Sequence, residues 1–366
     1  MLCIVYIKQK LIFVKNLILQ FVPENIKIPS ILKLSTLINI FRAKITQIYH
    51  LKKFLILFKK NNKKNLRFPL LFQIQTVNRC NTSCQMCPYE STTANEKYNL
   101  MDDKLFQKII DEISYYKESE LIVLSLQNEP LADKTIINKA KYIKSITPTI
   151  KLELVSNGYL LTPSIADDIY DVFDIVTLSI HAISSSTYKK VLGGLDFKTT
   201  FENLKYINKS RKKKHKTVLR FVKQKNNSHE YKQFKKYWSR NGFAVLGFDL
   251  NSRLKAIKNF ENMRHRTNFL QKLKLQILEK ISPLIMPSCP IPGISMYIRS
   301  NGDVIHCFND WGNNNVAGNL KNSNILEIYN SKEMIDFRTR VKEKSCNKDD
   351  ICTNCDLYND GIYLTI

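Results

Sequence analysis

The stretch LLFQIQTVNRCNTSCQMCP, residues 70–88, decides how this chain is read. Its first eight residues, LLFQIQTV (70–77), are apolar and β-rich and predict a strand. Three cysteines follow at once, Cys80, Cys84 and Cys87, in the pattern C-x3-C-x2-C. Thiols placed just past the C-terminal end of a barrel strand can all point at one centre, on the face where such folds carry their working residues. Three ligands are informative in themselves. A structural zinc or a fully ligated iron–sulfur cluster takes four, so a three-thiolate cluster leaves one iron open to a non-protein ligand. A zinc knuckle with a distant fourth ligand is the alternative.

Outward from this stretch, residues 67–250 alternate strand-like and helix-like segments. Further strands are predicted at LIVLSL (121–126), IKLELVS (150–156), DIVTLSI (174–180), TVLRFV (217–222) and FAVLGFDL (243–250). Between them lie helix-period stretches such as 102–116, 135–146 and 228–242. Asp102 and Ser228 stand where helix N-caps belong and Gly242 where a helix stop belongs. Six strands with intervening helices predict an α/β fold, a partial (β/α)6 TIM-like barrel. A helical linker (251–283) leads to a small C-terminal α+β unit (284–366). There ISMYIRS and DVIHCF flank Asn301-Gly302, a two-residue hairpin signal, and a helix is predicted over 325–344.

The C-terminal unit holds a second cysteine set. Cys289, Cys307, Cys352 and Cys355 are four thiols that a hairpin and a short helix can bring together. Four thiolates suit an iron–sulfur cluster or a structural zinc. Cys346 reads as a spare thiol or alternate ligand, and Cys3 as an ordinary apolar residue.

Composition narrows the function classes. The 366 residues are 44% hydrophobic and 24% charged, which argues against a disordered or fibrous chain. The longest N-terminal apolar runs are broken by Lys8, Lys10 and Lys15, short of the roughly 18 residues a spanning helix needs. No clean signal peptide is seen and the nine cysteines are odd in number, so a disulfide framework is not expected and a cytoplasmic location is. The net charge of +25 is uneven: residues 1–66 hold 13 basic residues and only Glu24 as an acid. That extension reads as amphipathic helices capping the main domain, with peripheral membrane contact or a docking arm as the alternative. Of the 57 basic residues only 12 are Arg, and the run RKKKHK (211–216) lacks interleaved aromatics, so nucleic acid is not the expected partner.

The segment IQTVNRCNTSCQMCP (74–88) resembles the radical S-adenosylmethionine (radical SAM) superfamily. The resemblance implies that Cys80, Cys84 and Cys87 hold a 4Fe–4S cluster whose open iron binds the amino and carboxylate groups of SAM. It also implies that SAM is reductively cleaved to a 5′-deoxyadenosyl radical that abstracts hydrogen from a substrate. LSLQNEPL (124–131) lies where that family has Gly-Gly-Glu-Pro, so Glu129 would accept from the SAM ammonium, although Gln127 and Asn128 replace the glycines. LVSNGYLLT (154–162) would bring Ser156 and Asn157 to the SAM ribose or methionine end. TLSIHAISSSTYKKVLGGLDFKTTFENL (177–204) resembles the subgroup with SPASM or twitch extensions. Ser179 would contact the SAM side, His181 stands where Asp is usual, and Leu192 where Arg is frequent. A lone His is more often structural, and Gly193-Gly194 is only a turn signal. The second cysteine set resembles a twitch domain, the short form of SPASM, and implies one auxiliary 4Fe–4S cluster on four cysteines.

These resemblances imply an oxidative modification, dehydrogenation or bond formation, of a sugar- or cyclitol-type small molecule or a peptide. A ribosomal-peptide or protein maturase is one alternative. A non-catalytic iron–sulfur or zinc protein docked to a membrane or partner is another. An electron donor such as flavodoxin or ferredoxin is the implied partner. Arg253, Asn251 and Asp310 are candidate polar groups at the mouth of the predicted site.

Overall fold

In the computed structural model, which describes residues 67–265, 288–312, 315–356 and 358, all six expected core strands form. The N-terminal extension, Cys3 and most of the predicted helical linker lie outside the described residues. In chain order the strands are β1 (Leu71–Ile74), β2 (Ser83–Cys84), β3 (Leu121–Val123), β4 (Lys151–Ser156), β5 (Ile175–Ser179), β6 (Leu192–Gly193), β7 (Thr217–Lys223), β8 (Ala244–Asp249), β9 (Ser295–Ile298), β10 (Asp303–Ile305) and β11 (Val316–Asn319). The core helices are α1 (Asp103–Tyr115), α2 (Ile136–Ile146), α3 (Pro163–Val172), α4 (Ser185–Val191), α5 (Phe197–Lys209), α6 (Arg211–Lys216) and α7 (Tyr231–Arg240), and the C-terminal region adds α8 (Ile325–Tyr329) and α9 (Lys332–Glu343).

One nine-stranded sheet runs in the order β11-β10-β9-β1-β3-β4-β5-β7-β8. From β1 to β8 every pairing is parallel, as strands joined by helical crossovers must be. The alternation within each strand sorts its residues. Phe72, Ile74, Leu152, Leu154, Val176, Leu178, Leu219 and Phe221 are fully buried in the main core. Residues of opposite parity share the other face, where the Thr177 hydroxyl donates to Glu153 at 2.6 Å and Arg220 lies 3.6 Å from the same carboxylate. That second face is the lumen.

The C-terminal unit does not stand apart from this sheet. β9 pairs in parallel with the free edge of β1, and β10 and β11 continue antiparallel. The second cysteine set is thereby carried on the same scaffold as the first. The β9–β10 connection differs from a two-residue hairpin. Arg299 also belongs to the turn, where the Gly302 amide donates to the Arg299 carbonyl at 2.9 Å and Gly302 takes φ +92°. The Arg299 amide in turn donates to the Asp303 carbonyl at 2.8 Å, closing the turn, and its side chain pairs with Glu96.

Local signals mostly hold. Asp102 caps α1 by accepting from the Lys104 and Leu105 amides, and Gly242 adopts φ +90° after α7. Ser228 is not a cap: it begins a short 3-10 turn, and Asn227 sits before it with its side-chain oxygen accepting from the Gln224 amide. The helix predicted over 325–344 is two helices, because Ser331 turns its hydroxyl to the Met334 amide and starts α9. The basic run 211–216 is α6. Its Lys216 ammonium donates to the Tyr170 and Phe173 carbonyls, satisfying the C-terminal end of α3. Among the described residues no helix is long and apolar enough to cross a membrane.

Candidate active site

Cys80, Cys84 and Cys87 lie on the loop between β1 and the first helical turns, at the C-terminal end of the sheet. This loop is held from three sides. The Cys80 amide donates to the Tyr89 hydroxyl at 2.9 Å, and the Cys87 amide to the Cys84 carbonyl at 3.0 Å. Cys84 itself forms β2, which pairs with β6 at Leu192–Gly193, and the Thr82 hydroxyl donates to the Gly193 carbonyl at 2.7 Å. This explains the first glycine of the pair. A Cβ on Gly193 would stand 2.8 Å from the Ser83 hydroxyl and 3.0 Å from its carbonyl, so glycine there lets the cysteine loop dock.

The three thiols face one another electrostatically. Burial raises the pKa of each, that of Cys80 to about 12, and thiolate charge on Cys87 and Cys80 raises Cys84 further. Gathered, half-buried thiols of this kind become thiolates against a metal, which supplies the missing positive charge. The set fits a three-ligand iron–sulfur centre.

Glu129 sits under this loop, fully buried after β3. Its Oε1 accepts from the Ser156 hydroxyl at 2.8 Å and the Leu131 amide at 3.1 Å, and Oε2 accepts from the Asn157 amide at 2.8 Å. Its own amide donates to the Arg79 carbonyl at 2.9 Å. A carboxylate has about four lone-pair sites, so one remains for an ammonium donor. Burial lifts its pKa to about 7 against the pull of these three bonds, and an arriving cation would favour the ionised form. Ser156 and Asn157 also hold the wall of the site together. Ser156 donates to Glu129 and accepts from the Gly158 amide, and Asn157 donates to Asn81 while accepting from the Tyr159 amide. They shape the wall and align Glu129. Ser179 lies on the lumen face of β5, in register with Arg220.

Several buried polar atoms on and after the strand ends have no partner, among others elsewhere in the described residues. Gln75 Nε2, Asn81 Nδ2, Gln127 Oε1, Asn128 Nδ2, Arg220 Nε and both polar atoms of the Gln224 side chain are orphaned. Native cores leave few such groups. Their grouping at the C-terminal ends of the strands fits a polar ligand seated there, as the carboxylate, amine, ribose and adenine of SAM would be.

His181 is a framework residue. It takes φ +59°, its Nδ1 accepts from the Val222 amide at 3.0 Å, and its carbonyl accepts from Asn227. With Nδ1 as acceptor, the neutral ring carries its proton on Nε2, so it is a donor and not a base. Burial, with repulsion from Arg220, drops its pKa from 6.5 to about 3. The unfolded chain therefore binds the extra proton first as pH falls, and stability is lost between pH 6.5 and about 3, worth roughly 5 kcal/mol in all at 1.4 kcal/mol per tenfold. In His181→Asn this loss is expected to shrink, seen as a narrowing urea-midpoint gap to wild type on acidification. A gap that stays constant would mean the ring is not held neutral.

The second set converges on one cavity. Cys289, Cys307, Cys352 and Cys355 line it together with apolar Leu254, Ile291, Pro292 and Ile351. Burial pushes Cys289 to about 12 and raises Cys307 and Cys352 well above the ordinary thiol range. Among the described residues, no three His, Cys, Asp or Glu side chains meet at a single ion-sized point. Four thiols lining one cavity fit an iron–sulfur cluster or a structural zinc. Cys346 packs against the small core around Cys352 rather than on the cavity wall, and its amide donates to the Tyr358 hydroxyl at 3.4 Å.

Two links tie the segments after β3 and β8 to the loop that carries Cys307, and the sequence reading missed both. Gln127, one of the residues standing in for glycine, donates from Nε2 to the Asp310 carbonyl at 2.8 Å. Arg253 donates from Nη1 to Asn309 Oδ1 at 2.7 Å. The departure from Gly-Gly was the only signal for the first. Of the candidate mouth residues, Asn251 is spent on the Arg253 amide and the Asp310 carboxylate on Asn315.

Residues 74–236 match the radical SAM superfamily, and residues 289–356 match an iron–sulfur cluster-binding domain, SPASM. A SAM-dependent 2-deoxy-scyllo-inosamine dehydrogenase of Niallia circulans is 32% identical over 68 residues, 19% of this chain and 27% of that protein. A GTP 3′,8-cyclase of Nostoc sp. is 26% identical over 124 residues, 33% of this chain and 37% of that protein. The chain thus spans well under half the length of these curated relatives. In fold it is similar to BtrN in complex with AdoMet and 2-DOIA (TM-score 0.52, 17% identity, 78% of this chain and 92% of that chain). It is also similar to Streptococcus suis SuiB bound to the precursor peptide SuiA (TM-score 0.60, 16% identity, 94% and 78%).

Proposed function

Because this chain belongs to the radical SAM superfamily and carries a C-terminal SPASM-type iron–sulfur domain, we propose that it reductively cleaves SAM and oxidises a substrate by hydrogen abstraction. The observation that carries this reading is the pair of thiol sets on one continuous sheet, with the segments after β3 and β8 tied to the Cys307 loop through Gln127–Asp310 and Arg253–Asn309. Cys80, Cys84 and Cys87 would hold the SAM-binding cluster, and Cys289, Cys307, Cys352 and Cys355 the auxiliary one. Bound there, the first cluster with SAM supplies a one-electron reduction and a hydrogen-abstracting radical, and the second supplies an acceptor for the substrate's second electron.

The residues of the chain do the positioning. Glu129 takes the ammonium of SAM on its remaining lone pair, with Ser156 and the Asn157 amide fixing the carboxylate's angle. The orphaned amides of the mouth orient the polar ends of SAM, and the core strands exclude water beneath it. The substrate is a sugar- or cyclitol-type molecule or a peptide. The dehydrogenase likeness supports the first class and the precursor-peptide complex of a fold relative the second. The described residues place no chain segment that favours the peptide.

The test is anaerobic reconstitution. About eight irons per chain, with deoxyadenosine released on adding reductant and SAM, is the expected outcome. Cys307→Ala is expected to keep about four irons and still cleave SAM, while substrate oxidation fails. One or two zincs and no cleavage would leave only a binding protein.

A further inference from the structure

The turn after β8 is built around an arginine. Three successive residues, Arg253, Leu254 and Lys255, take φ of 54°, 57° and 64°. L-residues avoid this region, and runs within it persist only where surrounding contacts over-determine them, as at ligand clamps. Here the Ser252 amide and hydroxyl donate to the Asp356 carboxylate at 2.6 and 2.7 Å, and Leu254 is seated in the wall of the auxiliary cavity. The result aims the Arg253 guanidinium between the two thiol sets.

That guanidinium is mostly unspent. It has five N–H donors. One goes to Asn309, and its face lies 5.9 Å from the centroid of the Phe308 ring. Among the described residues it has no carboxylate ion pair. The charged groups that face it are Arg220, which repels it, and the thiols of Cys87, Cys307 and Cys355. Arg220 shares the Glu153 carboxylate with Thr177, lies 5.9 Å from the Phe248 ring centroid, and leaves its Nε without a partner. Two guanidiniums thus lie near each other with one carboxylate, on Arg220, and neither is sealed from water: Arg253 is half-buried and the Arg220 side chain is 37% exposed. Their planar forks match carboxylate and phosphate oxygens, and a counter-charge for thiolates alone would not need a fork held at a set angle by Asn309.

We propose that Arg253, supported by Arg220, binds an anionic group of the substrate, a carboxylate or a phosphate, in the space between the two thiol sets. This rests on the enzymatic reading above and narrows its substrate class to acids or phosphate esters.

The test uses the holoprotein, with both clusters loaded and SAM present, titrated with inorganic phosphate and separately with succinate at constant ionic strength. The readout is the EPR signal of the reduced clusters. SAM affinity is measured by calorimetry in the same preparations. Wild type is expected to give a saturable response to one of the two probes, which also tells phosphate from carboxylate. Arg253→Gln and Arg253→Lys are both expected to weaken it by about tenfold or more, with SAM affinity within about twofold of wild type. Asn309→Ala, which keeps the charge and removes only the orienting oxygen, is expected to weaken it about threefold. No saturable response in wild type overturns the proposal. So does a wild-type response in Arg253→Lys, which would make the residue a plain counter-charge. A parallel loss of SAM affinity also overturns it, assigning the arginine to the SAM carboxylate. If Arg253→Gln fails to load iron, an unchanged response in Asn309→Ala still sinks the idea. Failure of the enzymatic reading is seen separately, as missing iron or missing deoxyadenosine in wild type before any probe is added.

Discussion

Cys84→Ala is expected to lose about four irons per chain and to lower SAM cleavage by more than about 100-fold, while the auxiliary irons remain. The reason is the absence of redundancy. Cys80, Cys84 and Cys87 are the only thiols on this loop, and Cys84 is held rigidly because it lies within β2, paired to Leu192. Its side chain packs against the main core and lies 3.7 Å from the Thr82 hydroxyl. Alanine keeps the β2–β6 backbone pairing and removes only the sulfur, so folding should be little affected. Iron analysis and deoxyadenosine release from anaerobic protein decide the matter. Full iron content with undiminished cleavage would remove the basis of the proposed function.

Glu129→Ala is expected to be costly in a different currency, because this carboxylate serves the fold and the site together. Three donors, the Ser156 hydroxyl and the Asn157 and Leu131 amides, would be orphaned at once in a fully buried place. At roughly 1–3 kcal/mol for each unsatisfied donor, partly relieved by entering water, the total is roughly 3–5 kcal/mol. A lowered urea midpoint in the apoprotein measures this. SAM binding should weaken by roughly 10- to 100-fold, the worth of a hydrogen bond to a charged group. Glu129→Gln separates the two effects. It keeps the volume, loses the charge, and turns one acceptor into a donor that faces another donor. It should recover part of the stability and little of the SAM affinity. Recovery of both would make Glu129 a structural residue only.

Much of the site was legible in the sequence because its chemistry is local. The three core cysteines sit within eight residues, and their thiols meet because one short loop carries them. The six core strands were legible because apolar periodicity and helix caps are also local. The errors have a common origin. Ser228 and Ser331 are the same residue type in a similar local setting, and only the surrounding partners decide that Ser331 accepts from the Met334 amide and caps a helix while Ser228 does not. Gly193-Gly194 looked like an unspecific turn because the Ser83 backbone that presses on Gly193 comes from a loop 110 residues earlier.

Residue type and spacing by themselves determined the two groups of cysteines, the parallel α/β core and the carboxylate after β3. These depend on intrinsic chemistry and on neighbours a few residues away. Tertiary structure alone decided that the C-terminal unit would join the core sheet along β1, that Gln127 would reach Asp310 across 183 residues of chain, and that Arg253 would be held between the thiol sets by Asn309 and by the turn that Asp356 pins. Such contacts are fixed by how buried faces pack and which polar groups are left to pair when they do. No window of sequence contains both partners.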